Sequence, residues 1–310
     1  MTPPPPAAGR HAFSGAGFVG GIAATGVFSV TIGSAQLVIV RRGAAVVARA
    51  MPTGGARALS GWAAAVAAAV IWQFSVPWIA VAAWPASNSE QFNGRVNVDA
   101  GSAVAELLLF GCVPNVAIAV GGVLVCAVVL NMAARVAALT ARVAPSGGCD
   151  LREEVPSLLR EVGAVVAVTQ RLANCTFASL LVLVLSFVAE GATDDANNLR
   201  AAVFLADLAL PALCAAVALS GARLSSALQA LHLAVLDPRG RGGGGADGSE
   251  VAAAARDVGV YLSGLEAKGA LSFRVFGIAT TWGNMARLTV TVGTAAGYAL
   301  TLIVRANNAA

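Results

Sequence analysis

Apolar residues in this chain come in long runs separated by short polar, glycine- or proline-bearing breaks, and most of the runs are of membrane length. They extend over about Phe13 to Val40, Leu59 to Trp84, Ala103 to Leu130, Phe177 to Ala189, Ala201 to Ser220 and Met285 to Val304. A helix rises about 1.5 Å per residue, so about 20 such residues cross a hydrocarbon core about 30 Å thick. The pattern predicts an all-α, multi-pass membrane bundle of about six spans. The final run carries a single charge, Arg287, and is preceded by a short amphipathic lead-in from Leu271 with turn glycines at Gly277 and Gly283.

Between spans the pattern becomes amphipathic. The third span continues as a helix through Asn131, Arg135 and Arg142 to a break at Pro145, Gly147 and Gly148. A helix restarts near Asp150, which can cap it, with Glu153 and Glu154 in the first turn, where the helix dipole favours negative charge. Pro156 sits early enough to be tolerated. From Leu158 a charged amphipathic helix runs straight into the short fourth span. After the fifth, Leu224, Leu228, Leu231 and Val235 recur at i, i+4, i+7 and i+11, the signature of one packed face. These stretches predict long helices that extend beyond the membrane on one side. The predicted order is an extended Pro-rich tail (1–12), a transmembrane bundle with helix extensions (13–236), a Gly-rich linker (237–250), an amphipathic helix plus a C-terminal span (251–305), and a tail (306–310).

Composition agrees with the membrane reading: 57% of the 310 residues are hydrophobic and only 12% charged, about half the charged share of a soluble domain. Mean hydropathy is +0.76. Charge then sets the orientation. With both ends of the six-span array outside, Arg41, Arg42, Arg49 and Arg57 form a first inner basic loop. Every other Lys and Arg except Arg10, Arg95, Arg200 and Arg305 also falls on the cytosolic side. That is a positive-inside bias, so the net charge of +4 marks topology. No basic cluster interleaved with aromatics points to nucleic acid.

Motifs exclude more than they identify. The five cysteines are odd in number and sit mostly in apolar runs, so no disulfide framework is implied. His11 and His232 lie far apart, and C-x-x-C, H-E-x-x-H and P-loop signatures are absent, which leaves neither a metal nor another cofactor expected. Gly15, Gly17 and Gly20 spell G-x-G-x-x-G, but no strand precedes them and no acidic residue follows at the required distance. Close packing of small residues between membrane helices accounts for them. No nucleophile, base and orienting group form a recognisable set, so an enzyme is not expected.

Several features occur together near the C-terminal end: an amphipathic segment, a glycine turn, and a final span carrying Tyr298 followed by five apolar residues, Ala299 to Ile303. Upstream, Leu159, Arg160, Arg171, Leu172 and Asn174 lie on a leucine-rich helix that runs into a span. This arrangement resembles the insect gustatory and odorant receptor superfamily, whose last span carries a Thr-Tyr, five apolar residues, Gln-Phe signature. Gly297, Val304 and Arg305 stand here where the family has Thr, Gln and Phe. The superfamily has seven spans, and the six seen here correspond to its second to seventh, so its first is expected to be missing. The resemblance implies a ligand-gated, non-selective cation channel in the plasma membrane, C-terminus outside. It would be a homotetramer or an assembly with a related subunit, its pore shared among the C-terminal spans.

On that reading the pore and gate residues are Gly293, Gly297, Tyr298, Leu300, Thr301, Ile303 and Val304. The glycines permit close helix approach, Leu300, Ile303 and Val304 form an apolar constriction, and Thr301 offers a lining hydroxyl. A pocket for an unidentified small molecule would be drawn from Trp72, Gln73, Glu106, Phe110, Phe204 and Asp207, with Glu106 and Asp207 as carboxylates inside spans. The bland readings stand beside these: a lipid-facing stripe for the first set, wet or paired interfacial groups for the second. The partners expected are the bilayer, further subunits, the ligand and permeating cations. A secondary transporter using Glu106 and Asp207, or a non-conducting protein of the same fold, are the alternatives.

Overall fold

The computed structural model describes residues 14–51, 61–68, 70–71, 113–143, 151–190, 209–236 and 246–287. Five long helices account for most of them: α1 (Ser14–Ala50), α2 (Val113–Val143), α3 (Leu151–Glu190), α4 (Ala209–Leu236) and α5 (Ala246–Ala267). Two two-residue strands, β1 (Arg274–Val275) and β2 (Ile278–Ala279), pair antiparallel after α5. Among the described residues, four segments are long and apolar enough to cross a membrane: Val30–Ala50, Val116–Val143, Leu151–Leu181 and Leu210–Leu236. The protein is an all-α, membrane-embedded chain. The expected second span lies largely outside the described residues, as does the final one beyond Arg287.

Helix boundaries follow local chemistry. α4 carries Pro211 in its first turn, where a missing N–H costs little, whereas Pro156 in the second turn of α3 gives up one i to i−4 bond. Two boundaries depart from expectation. Arg41, Arg42 and Arg49 are part of α1, which runs to Ala50, so the first inner basic loop begins as helix. Arginine is a good helix former, and the single Gly43 costs only about 1 kcal/mol, which a 37-residue helix tolerates. α5 starts at Ala246, inside the expected linker, immediately after the glycines at 242–245 that disfavour helix.

The chain divides into two compact units. One comprises Met1–Ala48, Pro52–Val125 and Arg171–Ala215. Its core gathers Ile32 of α1, Ile118 of α2, and Leu210 and Cys214 of α4, with Cys175, Phe177, Ala178 and Leu180 of α3 packed against them. Outward, α1 exposes Val27, Phe28, Val30, Leu37 and Val38, which is the surface a lipid-facing helix requires.

The other unit comprises Arg49–Met51, Cys126–Gln170 and Ala216–Ala310. Here α2 and α3 run antiparallel. Met132, Val136, Leu139 and Val143 are buried on the first, Val155, Leu159 and Val162 on the second. Leu224, Leu228, Leu231 and Val235 of α4 are all buried, so the i, i+4, i+7, i+11 stripe is a packed face as expected. α5 answers with Ala255, Val258 and Leu262 and lies antiparallel on α4. Gly259 approaches Leu236, Ser263 and Glu266 meet His232, and Phe273 reaches Ser225 and Gly221.

The lead-in to the last apolar run is a β-hairpin, where an amphipathic segment was expected. α5 ends in a Schellman turn: Gly269 N–H donates to Glu266 O and Ala270 N–H to Leu265 O, with Gly269 at φ 67°. The strands join through Phe276 (φ 49°) and Gly277 (φ 79°), the paired positive angles of a type I′ connection. Phe273, fully buried, anchors the hairpin: its N–H donates to Ser225 Oγ at 3.0 Å, and its carbonyl accepts from Thr280 N–H and Oγ1. Thr281 Oγ1 then accepts from Asn284 N–H at 3.2 Å, capping the helical turn at 282–287.

The Phe273 seat depends on Gly221, where an added Cβ would fall 2.5 Å from the ring and 2.6 Å from Thr280 Oγ1. Gly221→Ala is therefore expected to destabilise by about 1–3 kcal/mol, the usual overpacking cost. Thermal unfolding in detergent, followed by reaction of buried Cys126 with a thiol dye, should show a midpoint several degrees lower. An unchanged midpoint would mean that the hairpin is not seated on α4.

Candidate functional site

All thirteen residues assigned from sequence to gate or pocket lie outside the described residues: Gly293, Gly297, Tyr298, Leu300, Thr301, Ile303 and Val304 for the gate, Trp72, Gln73, Glu106, Phe110, Phe204 and Asp207 for the pocket. The polar chemistry that the structure does position is elsewhere, in three places.

The first is a polar point inside the membrane-length part of the chain. Gln36 of α1 is 3% exposed. Its Nε2 lies 3.5 Å from Thr176 Oγ1 of α3, the outer limit of a hydrogen bond, and its Oε1 has no partner. The amide presses on Gly121 of α2, where a Cβ would meet it at 3.0 Å. Thr176 donates to Leu172 O on its own helix, and Cys214 Sγ of α4 donates to Thr176 O at 3.7 Å. A buried, half-satisfied amide costs about 1–3 kcal/mol against an apolar group of the same shape. The amide is buried where residues of α1, α2 and α3 meet.

The second is an ion-paired face in the other unit. Arg135 of α2 makes a two-pronged contact with Glu161 of α3, its Nη2 donating to Oε2 at 2.7 Å. Arg142 meets Glu154 at 2.7 Å. Seven residues separate the arginines and seven the glutamates, two helical turns each way, so the pairs fix an antiparallel register. With Ala138, Leu139, Ser157 and Leu158 they line an open groove of about 360 Å³. The charges that line it are matched two against two.

Further along, α5 is held by charge as well as by its apolar stripe. Arg152 of α3 reaches Asp257 at 3.2 Å. His232 of α4, buried, lies with Nδ1 3.0 Å from Glu266 Oε2 and Nε2 3.4 Å from Ser263 Oγ. The sequence reading gave this histidine no partner, because both come from a helix more than thirty positions on. The order Ser, His, Glu is that of a nucleophilic triad, but Ser263 sits within α5, where neighbouring N–H groups are engaged in the helix and form no oxyanion hole. The cluster acts as a clamp between α4 and α5. Among the described residues no group of three His, Cys, Asp or Glu side chains is placed to hold a metal, and Cys126, Cys175 and Cys214 are free of disulfides.

No protein-family model, curated protein or solved structure matches this chain.

Two measurements test this geometry. Gln36→Met removes the unpartnered oxygen while keeping the side chain's length, and should raise stability by about 1 kcal/mol; a loss of stability would show that the amide has a partner. A double-mutant cycle of Arg135→Ala with Glu161→Ala should give a coupling of about 1 kcal/mol or less, since both groups are more than a third exposed. No coupling, with additive losses, would remove the ion pair as a register device.

Proposed function

We propose that this protein is a gustatory receptor-like, ligand-gated, non-selective cation channel of the plasma membrane. Four copies place their Met285–Val304 segments around one pore. The observation that carries the reading is helix length. α3 has 40 residues and α2 has 31, about 60 Å and about 46 Å at 1.5 Å per residue, against a hydrocarbon core of about 30 Å. The surplus is ion-paired and closely packed, as the resemblance requires of helices that continue inward and gather beneath the membrane. In this arrangement six spans have both ends outside, the basic residues lie in the cytosol, and α5 with its hairpin delivers the chain back to the bilayer for the last span.

The assignments of Leu300, Ile303 and Val304 to the gate and of Glu106 and Asp207 to a ligand pocket belong to this proposal. An apolar constriction closes a pore by dewetting, so Leu300→Ser and Ile303→Ser should raise resting current several-fold in cells expressing the protein. The reversal potential should lie near zero under opposed sodium and potassium gradients, and native mass spectrometry should give four subunits. A monomer that passes no current with either substitution would overturn the channel. Saturable solute uptake abolished by Glu106→Gln or Asp207→Asn would put a transporter in its place.

A further inference from the structure

The hairpin that closes the second unit exposes its largest apolar side chains. Phe276 at the tip is 56% exposed, Ile278 65% and Trp282 51%, while Phe273 on the same segment is wholly buried against α4. The fold thus spends one aromatic on attachment and leaves three large apolar groups outward. Phe276 also holds a positive φ of 49°, a conformation costing a non-glycine residue about 1 kcal/mol.

The height of this tip along α4 is set by contacts. Phe273 and Thr280 lie against Gly221, and Phe273 donates to Ser225. Gly221 follows directly on the apolar run that ends at Ser220, and the first charge after that run is exposed Arg223. The hairpin therefore sits beside Arg223, the one formally charged residue of α4. Along the same helix the contacts of α5 step away from this level: His232 with Ser263 and Glu266, then Leu236 with Gly259. Leu236 is fifteen residues beyond Gly221, about 22 Å further from the apolar run. In sequence, Trp282 stands three residues before the last apolar run begins. Charge on the segment is of one sign. Lys268, Arg274 and Arg287 punctuate it, and Glu266 is the last acidic residue of the sequence.

We infer that this hairpin is an interfacial anchor that inserts Phe276, Ile278 and Trp282 into the headgroup boundary of the cytosolic leaflet. Lys268 and Arg287 meet anionic headgroups beside it. Aromatic side chains prefer that depth, and each basic residue near an anionic leaflet contributes favourably. The anchor fixes the depth at which the last span enters the membrane. The inference rests on the inward placement of this side in the proposed topology, but not on conduction.

The test places p-benzoylphenylalanine at Phe276 in the full chain, reconstituted in vesicles of phosphatidylcholine with a minor share of phosphatidylserine. Irradiation should give lipid adducts by mass spectrometry, several-fold above those from the same probe at Val260, which is 71% exposed but lies on α5 near the Leu236 level. In parallel, brominated lipids should quench the fluorescence lost in Trp282→Phe. Cross-linking of the 276 probe to a second copy, or no lipid adduct with Trp282 unquenched, overturns the anchor. Impermeant maleimide on Gly243→Cys separates the two readings. Labelling gained in intact cells overturns topology and anchor together, whereas an inward Gly243 with no adduct overturns the anchor alone. Lipid adducts in a protein that carries no current leave the anchor standing and remove the channel.

Discussion

A hydrocarbon core about 30 Å thick has room for about 20 helical residues, and α2, α3 and α4 run to 31, 40 and 28. That surplus governs what the rest of the chain must do. Outside the hydrocarbon an apolar stripe needs partners to keep it from water, and a charged group needs a counter-charge or solvent. The stripes answer one another: Val136 and Leu139 of α2 with Val155, Leu159 and Val162 of α3, and Leu224, Leu228 and Leu231 of α4 with Val258 and Leu262 of α5 are buried throughout. Each fully buried branched side chain contributes about 1.5–3 kcal/mol, far above what a half-exposed ion pair supplies. Burial therefore stabilises the unit. The Arg135–Glu161 and Arg142–Glu154 pairs mainly select which antiparallel register is buried.

α5 solves a second problem posed by the same surplus. A chain that has followed α4 to Leu236 has to cover the apolar stripe it has just laid down, and an antiparallel helix packed on α4 is the shortest route that does so. The clamp of His232 with Ser263 and Glu266 lies one turn along α4 from Leu236, and Phe273 on Gly221 marks the end of the return. The Schellman turn at Gly269 and the I′ connection at Phe276–Gly277 reverse the chain within a few residues, which a continuous helix cannot do.

The parts legible in the sequence were those written as period and length. Continuous apolar runs marked α2 and α4, and the 3.6-residue stripe from Leu224 to Val235 named the buried face of α4. Where two signals competed, the reading slipped. Arg41 and Arg42 carry charge, which suggested a loop, yet arginine favours helix and α1 continues to Ala50. The hairpin was hidden because its first turn position holds Phe276 in place of the Asn or Asp that usually marks a I′ turn. His232 and Gln36 find partners contributed by other helices, at separations of 31 and 140 positions, and no local pattern encodes such a meeting. The gate and pocket residues from Trp72 to Asp207 and from Gly293 to Val304 fall outside the described residues, so the structure neither gathers nor separates them.

The two units differ in how their polar groups are settled, and that difference bears on how firmly each is held. In the unit holding the ion pairs, each described buried polar side chain has a partner: Thr169, Ser220, Ser225 and Thr280 all donate to backbone carbonyls. In the other, Gln36 keeps an oxygen unpaired where residues of α1, α2 and α3 meet, against a glycine that leaves it just enough room. A satisfied network has one low-energy arrangement, whereas an unsatisfied amide leaves its helices a way to gain energy by rearranging. The helices around Gln36 are therefore the ones whose packing has most to gain from a small shift. The helices joined by Arg135, Arg142 and His232 have no such gain in reach, because their polar groups already face partners.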